Sequence, residues 1–111
     1  MEGANTLDRV HLAQMTLGDR ALEAEVLGLF LRQSIPLVER MAQADAAETS
    51  ALAHTLMGSA KAVGAWRVAA SAQRLEASAN ADLRARAPAI AELQQAVGEV
   101  RAIICEILRR A

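Results

Sequence analysis

Few side chains in this chain of 111 residues could carry chemistry. It has two histidines, His11 and His54, one cysteine, Cys105, and no tyrosine. His54 lies in the stretch AHTLMGSAKAVGA, residues 53–65, with Ser59 and Lys61 close behind it. A histidine can ligate a metal, move a proton or attack an electrophile. Zinc or iron in a helical protein needs three or four ligands converging from several helices. Only His11 and Cys105 could join His54, and the sequence holds no Glu-x-x-His pair, so neither a metal nor haem is expected. Ser-based hydrolysis needs a base and an orienting group beside the nucleophile. A kinase needs a glycine-rich phosphate loop after a strand, and none is present. What remains is a histidine that acts as a nucleophile towards something another protein delivers.

A helical wheel places the groups around that histidine. At about 100° per residue, Leu52, Leu56, Ser59 and Val63 fall within roughly 60° of one another and form a core face. Ala53 and Ala60 lie on its shoulder. His54 stands roughly 200° from Leu52 and Lys61 about 180°, with Met57 and Gly58 on either flank. His54, Gly58 and Lys61 thus form one outward stripe at i, i+4 and i+7. That excludes a core histidine and leaves an idle surface one as the bland alternative. Gly58 argues against idleness, because glycine inside a helix costs about 0.5–1 kcal/mol relative to alanine. A missing side chain one turn from the imidazole clears room for a partner's surface.

The elements that must hold this stripe are helices. Apolar residues make up 53% of the chain, supplied mainly by alanine and leucine, while Phe30 and Trp66 are the only aromatics. Strand-favouring runs are absent, and good helix formers dominate. Thr6 is expected to cap a short helix ending near Met15. Asp19 caps a long one that runs to Met41 through Pro36, which should kink it near Gln33. Asp45 and Glu48 form a capping box for the helix carrying His54, which Gly64 stops. Another helix runs from about Ala65 to Ala79. Asp82 then caps a last helix from Leu83 to about Arg109. Four long amphipathic segments with short connections predict an all-α, antiparallel up-down four-helix bundle with a short additional N-terminal helix, one domain over residues 1–111.

A formal net charge of −1, with basic and acidic residues interspersed, gives no nucleic-acid footprint. A lone cysteine gives no disulfide or zinc spacing. No apolar run is long enough to span a membrane, and the N-terminus lacks the pattern of a secretory signal, so a cytoplasmic protein is expected.

The same residues resemble a known family. His54, Leu56, Gly58 and Ser59, then Gly64–Ala65 and Leu75–Glu76, match the signature of the histidine-containing phosphotransfer (HPt) domains of multistep phosphorelays. Upstream, FLRQSIPLVERM looks like the helix preceding the phosphorylated one. The resemblance implies that His54 is the phosphoacceptor, and that Gln33 hydrogen-bonds near the phosphoryl group. Such domains usually carry lysine three residues after the histidine. Here that residue is Met57, and Lys61, about 10 Å along the helix from His54, is the candidate for the charge role.

The resemblance further implies a mechanism. A receiver domain carrying phosphoaspartate docks around His54, with Ala53, Met57 and Gly58 as its docking rim, and the neutral imidazole attacks phosphorus in line. The phosphoryl group then passes to a second receiver. The protein would carry no cofactor of its own, since the receiver brings Mg²⁺, and would show no turnover alone. Its expected partners are response-regulator receiver domains and a hybrid histidine kinase, with this chain a monomer. Trp66 is expected to pack at the turn between two helices, Arg67 and Arg74 to be solvated or to meet an acidic receiver face, and His11 to be structural or idle. The alternative is a non-catalytic helical adaptor that binds receivers or dimerises without carrying phosphate.

Overall fold

Three aspartates begin three of the four long helices, as their positions predict. The Asp19 carboxylate accepts from the Leu22 amide at 3.1 Å, Asp45 from Glu48 at 2.8 Å and Asp82 from Ala85 at 2.9 Å. Each satisfies a backbone donor that the first helical turn leaves unpaired. A computed structural model describes residues 6–110, the side chain of Leu83 excepted. The helices that lie wholly among the described residues are, in order, α1 (Arg9–Met15), α2 (Arg20–Met41), α3 (Ala46–Val63), α4 (Trp66–Ala77) and α5 (Leu83–Arg110). Helix α2 continues through Pro36 to Met41. Helices α2 to α5 form an antiparallel up-down bundle in which α2 packs on α3, α3 on α4, α4 on α5 and α5 back on α2. No described helix is long and apolar enough to cross a membrane.

The local signals hold with three adjustments. Asp8, not Thr6, caps α1, its carboxylate accepting from the His11 amide at 3.0 Å, while Thr6 is buried. The capping box of α3 is half made: Glu48 leaves its own helix end and pairs with Arg40 of α2 at 3.1 Å, where a full charge is available. Helix α4 stops at Ala77, because the Ser78 hydroxyl turns back onto the carbonyls of Arg74 and Leu75.

The core is built from aliphatic side chains. Leu27, Phe30 and Met41 of α2, Leu52, Leu56 and Val63 of α3, Leu75 of α4, and Leu93, Val100 and Ile104 of α5 are all buried. Between α3 and α4 the filling is alanine: Ala53, Ala60, Ala69 and Ala72 are buried, and their small side chains let the two helices approach closely. The buried face of α3 is therefore centred nearer Ala53 and Ala60 than the wheel expected, and Ser59 falls outside it at a half-buried position.

The turn after α3 is clamped. Gly64 closes the helix at φ 85°, a left-handed conformation suited to glycine. A Cβ there would lie 2.8 Å from the Asp8 carbonyl oxygen. The Asp8 amide donates to the Gly64 carbonyl at 2.9 Å. Trp66 Nε1 donates to the Asp8 carboxylate at 2.9 Å, and the His11 ring meets the Trp66 ring edge-on at 4.8 Å between centroids. The N-terminal segment thereby fixes the α3–α4 turn, and His11 and Trp66 have structural work there.

Candidate functional site

His54 projects from the middle of α3, and its side chain is 68% exposed. Its Nδ1 lies 3.1 Å from Glu76 Oε2 on α4. A carboxylate only accepts, so Nδ1 carries a proton, and in the neutral ring Nε2, on the far side, keeps its lone pair. This arrangement presents an oriented nucleophilic nitrogen to solvent. The fold sets it up directly: the alanine-lined seam brings α3 and α4 close enough for a short carboxylate on one helix to reach the ring on the other.

One turn along, Gly58 is exposed and a Cβ added to it would meet no atom within 4 Å. The fold does not require glycine there. Met57 is half-buried and packs against the core, leaving part of its side chain beside the histidine stripe. Lys61 is exposed and has no ion-pair or hydrogen-bond partner among the described residues.

One expected participant stands elsewhere. Ala53 is fully buried, at 0% exposure, so it cannot line a docking rim; it belongs to the close α3–α4 seam. The wheel had already put it on the shoulder of the core. Gln33 is held by Ser59, whose hydroxyl donates to its Oε1 at 2.9 Å. Ser59 lies about 140° round α3 from His54, so the bond to Gln33 joins α2 and α3 on the side of the histidine helix that faces α2. Glu76 is the partner that sequence reasoning missed. It was visible in the Leu75–Glu76 pair, but nothing in one sequence says that residues 54 and 76 face each other.

Arg67 and Arg74 are tied to α5, Arg67 to Glu99 and Arg74 to Glu92. Among the described residues no group of three or more His, Cys, Asp or Glu side chains could hold a metal ion.

A family model for the Hpt domain matches residues 25–103, a span that contains His54, Glu76 and most of the bundle. The chain belongs to the Hpt domain family. Hpt domains serve as phosphoryl carriers in histidine phosphotransfer and work with receiver-type partners. The fold is also that of a crystal structure of a rice protein provisionally assigned as a histidine-containing phosphotransfer protein. The two superpose with a TM-score of 0.83 at 18% identity, over 94% of this chain and 80% of the rice one. No curated protein matches this Hpt domain significantly.

Proposed function

We propose that this Hpt domain accepts a phosphoryl group from a receiver-domain phosphoaspartate on His54 Nε2 and passes it to another receiver. The observation that carries this reading is the Glu76 contact, which holds the proton on Nδ1 and leaves Nε2 as the free nucleophile. In the transfer, Nε2 forms a bond to phosphorus while the bond from phosphorus to the aspartyl oxygen breaks, and the carboxylate leaves as an anion. The ring that results carries a proton on Nδ1 and a phosphoryl group on Nε2, and is cationic. Glu76 then faces a positive charge it did not face before, so its contact strengthens as the P–N bond forms. Positioning and charge supply most of what phosphoryl transfer asks of a protein.

The open surface above Gly58 admits the partner, and Met57 contributes an apolar contact at its edge. Lys61 on the same stripe is free to meet the phosphoryl oxygens or the acidic face of the receiver. Mg²⁺, where transfer needs it, would be supplied by the receiver, and the domain would act as a monomeric carrier without turnover of its own. A hybrid histidine kinase upstream and a cytoplasmic setting complete the proposal.

The deciding experiment is intact-mass analysis after mixing the domain with phosphorylated receiver domains, for wild type and His54→Gln. The expected result is a gain of one phosphoryl group that is acid-labile, base-stable and absent from the variant. A folded wild-type protein that gains nothing from several receivers would instead make it a receiver-binding adaptor, a possibility to which Met57 in the usual lysine position points.

A further inference from the structure

The seam opposite His54 carries a feature that phosphotransfer does not use. Helices α3 and α4 hold the histidine and Glu76; on the other side of the bundle, the start of α2 and the end of α5 leave a groove of about 1080 Å³. Ala21 and Ala24 line one wall, and Ile103 and Ile107 the other. Along α5 the lining runs from Ala102 to Arg110, about two helical turns. Alanines on one side and branched aliphatics on the other are the walls an apolar helix face fits, the small residues admitting its backbone closely. Most of the lining lies outside residues 25–103, so the groove is not part of what the family model matches.

The rim charges select the occupant. Glu106 has both carboxylate oxygens engaged, one by Arg109 and one by Arg110, whereas Glu23 has no cationic partner among the described residues. Arg9 and Arg20 line the groove with no ion pair among the described residues. Two unpaired cations, Arg9 and Arg20, stand against one unpaired carboxylate, Glu23, and two arginines share Glu106, so the balance of the rim is positive. A second copy of this chain packed face to face would set one net-positive rim against another, whereas carboxylates flanking an apolar stripe would meet Arg9 and Arg20.

We propose that this groove receives an amphipathic helix of a partner protein whose apolar face fills the cleft and whose flanking carboxylates pair with Arg9 and Arg20. Because the groove and His54 occupy opposite seams, such a helix can tether the domain while a receiver docks on the histidine. The interaction does not depend on the phosphotransfer reading.

The test uses the full chain and two synthetic 18-residue helical peptides with the same leucine stripe, one flanked by glutamates and the other by lysines, followed by fluorescence anisotropy. The glutamate peptide should bind at least tenfold more tightly than the lysine peptide. Arg20→Glu and Ala21→Gln, both at exposed positions where folding should survive, should each weaken it about tenfold. His54→Gln should bind as wild type does, and Arg20→Glu should still exchange phosphoryl groups with a receiver if the wild type does. Equal binding of the two peptides, no binding of the glutamate peptide, or indifference to Ala21→Gln would overturn the proposal. A concentration-dependent dimer abolished by Ala21→Gln would overturn it in favour of a second copy, and binding confined to phosphatidylserine vesicles in favour of a membrane surface.

Discussion

Replacing Gly58 by alanine separates the needs of the fold from those of transfer. Glycine inside a helix costs about 0.5–1 kcal/mol relative to alanine, through the extra backbone freedom lost on folding. A Cβ at position 58 would meet nothing within 4 Å, so no clash subtracts from that gain. Gly58→Ala should therefore stabilise the protein by about 0.5–1 kcal/mol. At 4–8 °C per kcal/mol for a domain near this size, the melting temperature should rise by roughly 2–8 °C. Transfer should move the other way. The new methyl stands one turn from His54 on the same outward stripe, where a partner's surface has to approach closely enough for in-line attack, and a misplacement near 1 Å can cost about 100-fold in rate. The assay is rapid-quench transfer from a phosphorylated receiver, alongside thermal unfolding of the same preparations. A variant that is stabilised and transfers at the wild-type rate would show that Gly58 is not there to admit a partner. A destabilised variant would refute the stability estimate, and with it the view that the fold leaves this position free.

Other substitutions probe the remaining contacts. Glu76→Gln keeps an acceptor near Nδ1 but removes the charge that meets the phosphorylated ring; since the pair is largely solvent-exposed, transfer should slow about threefold to tenfold, measured by the same rapid-quench assay, with little change in melting temperature. Lys61→Glu should slow transfer if Lys61 steadies the phosphoryl group or the receiver, and an unchanged rate would remove that role. Gly64→Ala forces a side chain into a left-handed conformation and within 2.8 Å of the Asp8 carbonyl oxygen, so it should destabilise by about 2 kcal/mol or more in urea unfolding; a loss under about 0.5 kcal/mol would mean the N-terminal segment yields freely. The Asp8 carboxyl is held below its ordinary value of 3.8, first by the His11 amide and then by Trp66 Nε1–H. A depressed folded-state pKa stabilises above the unfolded value and stops doing so as pH falls through the folded one. The stability advantage of wild type over Asp8→Ala should accordingly be flat from neutral pH down to about 4 and shrink below it, followed by Trp66 fluorescence during unfolding.

The helices were legible because their signals are local. Asp19, Asp45 and Asp82 begin helices, and Gly64 ends one, through bonds spanning three to five residues, and periodicity alone put His54 on the outside of α3. The site was legible to the extent that it lies on one helix: His54, Gly58 and Lys61 share a stripe whatever the neighbours do. What sequence could not give were relations across helices. Glu76 reaches His54 over 22 positions, Ser59 turns to Gln33 over 26, and Trp66 finds Asp8 over 58. Ala53 shows the same limit from the other side. A wheel places it near the core boundary, and only the close approach of α4 decides that it is wholly buried.

That close approach links the packing to the chemistry. A carboxylate on α4 reaches a ring on α3 only because alanines separate the two helices; bulkier side chains at Ala53 or Ala60 would push Glu76 away from Nδ1 before they damaged the exposed stripe. The N-terminal clamp acts at the turn joining these helices, where Gly64 allows the chain to reverse immediately and Asp8 holds the reversal through its backbone and side chain. Little of this needs a catalytic cluster. A ring with one proton fixed, an open approach and a rigid pair of helices is enough when the partner supplies an activated phosphoryl group. The lysine usual three residues after the histidine is the one element not replaced nearby, since Met57 sinks towards the core and Lys61 stands about 10 Å along the helix. On the proposed reading, a phosphorylated His54 would be held chiefly by the Glu76 contact to the ring and less by charge on the phosphoryl oxygens, an arrangement suited to passing the group on rather than storing it.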